Sequence, residues 1–150
     1  MYSQIAQQTM IEHQTLKHVM DGLQIVLTWQ VSAAGMARKL TSLRFVVSSL
    51  HRHLEHMLNL EESGGYMPEV VAMSPQFAKE VKALRQQHDE FRETLRHIVA
   101  ELEAVTADDT QRITATCERL SDLLNQLDKH SRTETGLVQE AFLREEGGEG

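Results

Sequence analysis

From Phe77 onward one face of the chain is marked every three or four positions, at Val81, Leu84, His88, Phe91, Leu95, Ile98 and Leu102, apolar at all but His88. That period fits the 3.6-residue turn of an α-helix and not a strand, whose faces alternate every second residue. The same step returns in the other stretches of the chain. His13, Leu16, Met20, Leu23 and Leu27 mark the first, and Leu40, Leu43, Val47, Leu50, Leu54, Met57 and Glu61 the second. Ile113, Leu120, Leu124, Leu127, His130, Glu134, Leu137 and Ala141 mark the last. With only two prolines to interrupt it and almost no alternating stretch, the chain belongs to the all-α class.

Helix punctuation divides the chain. The first helix is expected from Ser3 to Val31, followed by a turn from Ser32 to Arg38 around Ala33, Ala34 and Gly35. The second helix ends at Gly64-Gly65, where a left-handed C-terminal cap is expected. Tyr66 to Met73 reads as a lead-in to Ser74-Pro75, a capping hydroxyl followed by proline at the first helical position. The third helix then runs to a turn over Ala104 to Asp109, in which Thr106, Asp108 and Asp109 can all cap. The fourth reaches a Glu- and Gly-rich end, Glu145 to Gly150, expected to fray. Long helices with short connections pack most simply as an up-down-up-down antiparallel four-helix bundle, with residues 1–150 as a single domain.

Charge narrows the choice of partner. A net charge of -7 and a pI near 5.6, with no cluster of Lys and Arg, leave no surface for nucleic-acid phosphate. No apolar run approaches the ~18 residues of a membrane span, and Met1 to Gln8 carries no charged-then-apolar leader, so the chain reads as cytoplasmic with no membrane partner. Cys117 is the only cysteine, which rules out an intramolecular disulfide, and its seam position reads as core filler.

Five residues interrupt the seams. His13, Glu61, His88, His130 and Glu134 occupy positions that the period assigns to the interior. His13 lies early in its helix, Glu61 late in the next, His88 early in the third and Glu134 late in the fourth. In an antiparallel bundle those levels coincide to within about two turns, so all four helices can aim donors at one end. Two carboxylates close together in low dielectric are costly without a cation. A metal ion is therefore the expected occupant, and imidazole with carboxylate but no thiolate points to iron or manganese ahead of zinc.

The pattern of a His in the first helix, a Glu pair closing the second, a His in the third and His-x-x-x-Glu in the fourth resembles the hemerythrin-like, or HHE cation-binding, domains. The resemblance runs from Glu12-His13 to Phe142. Its most specific stretch is His53-Leu54-Glu55 through Glu61-Glu62-Ser63-Gly64-Gly65-Tyr66, similar to bacterial members that read His-Phe-x-x-Glu-Glu and then Gly-Gly-Tyr. The resemblance implies a non-haem di-iron centre with O2 as the usual ligand. It further implies that His13 serves one iron, His88 and His130 the other, and that Glu61 and Glu134 bridge.

One position departs from that pattern. Met57 stands where the family has a histidine four residues before the bridging Glu, and a thioether is a soft, weak donor for iron. Three outcomes are open: His53, one turn earlier, substitutes; only the His88/His130 position holds metal; or the second iron binds weakly with water filling the gap. A depleted or displaced second site is the favoured expectation.

Other polar residues have plainer readings. His51 and Glu55, His56, His18 and His97 read as solvated helix surface, and Glu12, Glu62 and Asp89 as surface charge or as partners that orient a ligating imidazole. Tyr66 either donates to the site or packs over the Gly64-Gly65 turn. Trp29 and Phe45 read as core or as a dimer contact at the far end. The expected function is a non-haem iron-binding protein that takes O2 or a related diatomic for storage, sensing or protection, with a redox partner protein compatible with that role. The competing expectation is a regulatory or protein-interaction bundle with a decayed or mononuclear site. No nucleophile-base pairing and no phosphate loop assigns a turnover, and the sequence assigns no oligomeric state.

Overall fold

The computed structural model describes the backbone of residues 4–147 and the side chains through residue 142. Its helices are α1 (Gln4–Leu27), α2 (Met36–Ser63), the short α3 (Tyr66–Met73), α4 (Ala78–Ala104) and α5 (Thr110–Gly147), with no strand among the described residues. Of the long helices, α1 packs on α2, α2 on α4, α4 on α5, and α5 closes the ring against α1. That is the up-down-up-down bundle the periodicity requires. No helix among the described residues is long and apolar enough to cross a membrane. The expected start at Ser3 and residues 148–150 of the stretch expected to fray lie outside the described residues, whereas 145–147 of that stretch continue α5.

The boundaries differ from expectation where local chemistry competes with the period. Helix α1 stops at Leu27, short of Val31, because its last turn tightens. Thr28 and Trp29 donate their N–H groups at 3.2 Å to the carbonyls of Ile25 and Val26, and the Thr28 hydroxyl takes the Ile25 carbonyl at 2.7 Å. A 3₁₀ turn, Ala33–Gly35, then feeds α2 directly. Tyr66 to Met73 is a helix rather than a lead-in, too short for its period to show. It lies against α1, α2, α4 and α5 and buries Tyr66, Met67 and Val70. Pro75 does open the next segment, as the first residue of a 3₁₀ turn that leads into α4, but the Ser74 side chain makes no cap hydrogen bond.

The two glycines after α2 are used differently from expectation. Neither has a positive φ, so no left-handed cap forms. Gly65 is required by proximity instead: a Cβ there would fall 2.5 Å from the Leu60 carbonyl oxygen and 2.8 Å from the Glu61 Cα. That close approach folds α3 back over the end of α2, beside Glu61.

The interior is divided into two dry compartments. The larger contains Leu16, Met20, Leu23, Leu43, Leu50, Leu54, Leu58, Phe91, Leu95, Ile98 and Leu127, with Cys117 packed at its edge. The smaller contains Ala6, Tyr66, Val70, Leu84, Leu137, Val138 and Phe142. Along α1, α4 and α5 the interrupting polar residues fall between the two sets: His13 between Ala6 and Leu16, His88 between Leu84 and Phe91, His130 and Glu134 between Leu127 and Leu137; on α2, Glu61 follows Leu58, the last α2 residue of the larger set. Trp29 and Phe45 are not core, since they remain 37% and 74% exposed.

Candidate metal centre

Between the two compartments lie His13, Glu61, His88, His130 and Glu134, all buried, with His88 and Glu134 entirely so. Each is delivered by helical register. His130 and Glu134 are one turn apart on α5, and Nε2 of His130 is 3.2 Å from Oε1 of Glu134. His13 on α1 places its Nε2 2.9 Å from Oε2 of Glu61 and 3.4 Å from Oε1 of Glu134. His88 on α4 places its Nε2 3.4 Å from both Oε1 of Glu61 and Oε2 of Glu134. Each carboxylate thus turns one oxygen toward His13 and the other toward His88.

The outer nitrogens are held just as specifically. Nδ1 of His88 donates to Oε2 of Glu62 at 2.7 Å, and Nδ1 of His130 donates to the amide oxygen of Gln87. Nδ1 of His13 pairs with the Ser131 hydroxyl at 2.9 Å, with Thr135 at 3.4 Å. Carboxylate and amide oxygens can only accept, so His88 and His130 carry their proton outward and are left with Nε2 as the inward-facing atom. Glu62 is itself fixed by Arg92, whose guanidinium reaches Oε2 at 2.9 Å and Oε1 at 3.1 Å. Arg92 also binds Glu55 at 3.2 Å, Asn59 at 3.0 Å and Asp89 at 3.0 Å. The Tyr66 hydroxyl, at the start of α3, donates to Oε2 of Glu134.

Burial and crowding shift the protonation of the cluster. Burial alone would lower the His13 imidazole, but the hydrogen bonds and charges of Glu134 and Glu61 outweigh it and raise it to about 9. Burial, then the neighbouring Glu134 charge, pushes Glu61 well above the usual carboxylate range. Glu134 goes the other way: burial opposes its charge, but the surrounding His13, His130 and His88 imidazoles hold it well below. Burial and the two carboxylate charges push Tyr66 up, so it keeps the proton it donates. Burial likewise opposes the charge of Glu62, and Arg92 with His88 outweighs it and lowers that carboxyl. Two adjacent carboxylates in this setting call for a cation to share.

The donor set fits a metal. Oε1 of Glu61, Oε1 of Glu134 and Nε2 of His130 are buried with no hydrogen-bond partner among the described residues, a costly arrangement for lone pairs facing one another. Atoms about 2.0–2.2 Å from a common ion lie about 3–4 Å apart. His88, His130 and Glu134 form one group within 4.8 Å of one another, and His13, Glu61 and Glu134 form a second that shares Glu134.

His53 does not join either group. It is exposed on α2, because the inward face there passes through Leu50, Leu54, Met57 and Glu61, and position 53 is rotated off that face. Met57 itself is buried in the larger apolar compartment. His18, His56 and His97 are exposed and His51 is half-buried, whereas Glu55 pairs with Arg92 rather than standing in a solvated pair with His51. Gln87, Ser131 and Arg92 carry no periodic signal and are not evident in the sequence as site residues. Gln87 precedes His88 and Ser131 follows His130, yet each serves the histidine of a neighbouring helix.

Imidazoles and carboxylates converging from separate rods define a helical bundle with a site suited to a metal ion. The family model of the hemerythrin HHE cation-binding domain matches residues 5–142, and the chain belongs to that family. Neither the curated proteins nor the solved structures compared with the chain include a match.

Proposed function

We propose that this chain is a non-haem iron-binding protein that engages O2 or a related small diatomic for storage, sensing or protection. The observation that carries the reading is the inward convergence of three histidine Nε2 atoms upon two shared carboxylates, with every Nδ1 held from behind. In this reading His88 and His130 would hold one ion with Glu134, and His13 and Glu61 would hold the other with Glu134. Glu61 and Glu134 each turn one oxygen toward His13 and the other toward His88, so both carboxylates would be shared between the two positions. Iron bound there would supply reversible electron transfer to a small ligand. Nitrogen and oxygen donors without thiolate favour iron or manganese over zinc.

The remaining roles belong to the chain. Ser131, Glu62 and Gln87 fix ring orientation and tautomer, and Glu62, a carboxylate clamped by Arg92, makes His88 the most electron-rich of the three. Tyr66 steadies Glu134 by donating to it. The apolar compartments on either side limit access of water and of adventitious protons.

A second reading concerns stoichiometry and rests on Met57. The His88/His130 position has two imidazoles, whereas the His13 position has one, because the residue one turn before Glu61 is a buried thioether. The two positions are then unequal, and the His13 position is the first to be lost. Anaerobic titration with iron(II), followed by metal analysis and optical spectra on exposure to O2, tests both readings. About two irons per chain with near-ultraviolet charge-transfer bands support the dinuclear form. About one supports a mononuclear site, and none refutes the proposal in favour of an interaction bundle.

A further inference from the structure

The large hydrophobic side chains left exposed among the described residues all lie on one side of the bundle: Met10, Ile11 and Ile25 on α1, Trp29 just past its end, and Phe45 on α2. The outer faces of α4 and α5 are laced with ion pairs instead, Glu93 with Arg96, Glu101 with Arg112 and Asp128 with Arg132. Residues 22–37, from α1 into the start of α2, contain no charged residue in a chain that is 25% charged. Exposed apolar side chains from which charge is excluded mark the centre of a protein–protein contact.

The spacing along α1 identifies the occupant. Ile11 and Ile25, 60% and 61% exposed, stand seven residues on either side of exposed His18. Seven residues are nearly two turns, so the three form one stripe, on the side of α1 opposite buried Leu16, Met20 and Leu23. The stripe reads the same from either end. A second α1 running antiparallel therefore meets it with Ile11 against Ile25 twice, and with His18 against its own copy at the two-fold axis. A neutral imidazole donates from one nitrogen and accepts at the other, which lets the two copies of His18 satisfy each other. The charges beside the stripe need no outside partner, because Lys17 and Asp21 pair at 3.5 Å. Gly22 adds an independent sign. A glycine inside a helix is destabilising relative to alanine, and no close approach within the chain requires one there, since a Cβ at position 22 would have no atom within 4 Å. In the antiparallel pairing Gly22 lies opposite Gln14 of the second copy, where a missing side chain lets the helices approach.

We propose that this face is a homodimer interface, in which a second copy of this chain packs its α1 antiparallel on the first across a two-fold axis at His18. The 24 residues of α1 span ~36 Å at ~1.5 Å per residue. With the neighbouring edge of α2 that holds Phe45, the strip is two helix diameters or ~20 Å wide, and its ~700 Å² approaches the ~800 Å² per partner of a stable interface. A different protein requires no symmetry in the stripe, whereas a two-fold requires it. The contact leaves the metal cluster untouched, because His13 is buried on the inward side of α1.

Sedimentation equilibrium of the full chain over a range of concentrations tests this, and the parent is expected to form a dimer. Ile11→Glu and Ile25→Lys should each raise the dimer dissociation constant about a hundredfold, because burying one Ile is worth about tenfold and the two-fold repeats each loss. Both positions are exposed in the single chain, so circular dichroism should show both variants as helical as the parent. An equimolar mixture of the two variants should associate about tenfold more tightly than either alone, since the introduced carboxylate then faces the introduced ammonium while the remaining Ile25 faces the remaining Ile11. Gly22→Leu should weaken the dimer although the single chain has room for the side chain. A parent that stays monomeric at every concentration overturns the proposal and leaves the face to a different protein. A dimer whose dissociation is unchanged in both Ile variants overturns the location, and a mixture that associates no better than its components overturns the antiparallel two-fold.

Discussion

Replacing Met57 with histidine has opposite consequences with and without metal, and both can be worked from the structure. Position 57 is 2% exposed and lies one turn before Glu61 on the inward face of α2. On the metal reading proposed above, an imidazole there would add a nitrogen donor one turn from Glu61, beside the His13, Glu61 and Glu134 group. Removing a mere hydrogen-bond partner of a metal ligand costs 10–100-fold in affinity, so gaining a direct ligand should strengthen the His13 position by about a hundredfold or more. Without metal the same change buries a polar ring among Leu54, Leu58 and neighbouring apolar side chains. An unsatisfied buried donor or acceptor costs about 1–3 kcal/mol, and the metal-free variant should be less stable than the parent by that amount. Metal analysis after dialysis reads the first effect, and urea unfolding in the presence of chelator reads the second. Iron content rising toward two per chain, together with a lower chelated stability, is the expected pair. Unchanged iron content in a folded variant would refute the argument that Met57 weakens the second position.

Other perturbations reach the cluster from outside it. Glu62→Gln weakens the acceptor behind His88 and deprives Arg92 of a charged partner, so affinity at the His88/His130 position should fall about 10–100-fold, measured by competition with a chelator. Tyr66→Phe removes the hydroxyl that donates to fully buried Glu134 and should cost about 1.5–3 kcal/mol in chemical unfolding, as for a hydrogen bond to a charged group; a loss under 0.5 kcal/mol would count against that role. For the metal-free chain, the raised pKa of His13 makes its contribution complete below the ordinary value near 6.5 and lost as pH climbs through about 9. Glu61, also raised, acts in the same sense, while the lowered Glu134 contributes steadily above the usual carboxylate range. Unfolding free energy in chelator should therefore drop by about 3 kcal/mol between pH 6.5 and 9.5, and a flat profile would contradict the His13 pairing.

The sequence by itself determined the rods and what they aim inward. The three-and-four spacing of Phe77 through Leu102 and its counterparts fixes which face of each helix is dry, and in an antiparallel bundle that register alone brings His13, Glu61, His88, His130 and Glu134 to one level. The candidate donor positions were legible because they break a strong local period. Tertiary structure decided everything that depends on a residue from one helix meeting a residue from another. No spacing announces that Gln87 supports His130 rather than its neighbour His88, or that Ser131 supports His13, because those contacts arise only when α4, α5 and α1 are packed. The helix over Tyr66 to Met73 was hidden by its shortness, yet it carries the tyrosine that holds Glu134. Gly65 reads in sequence as a cap and is in fact a point of backbone contact. His53 was excluded by rotation, one turn from the right height and on the wrong side of the rod.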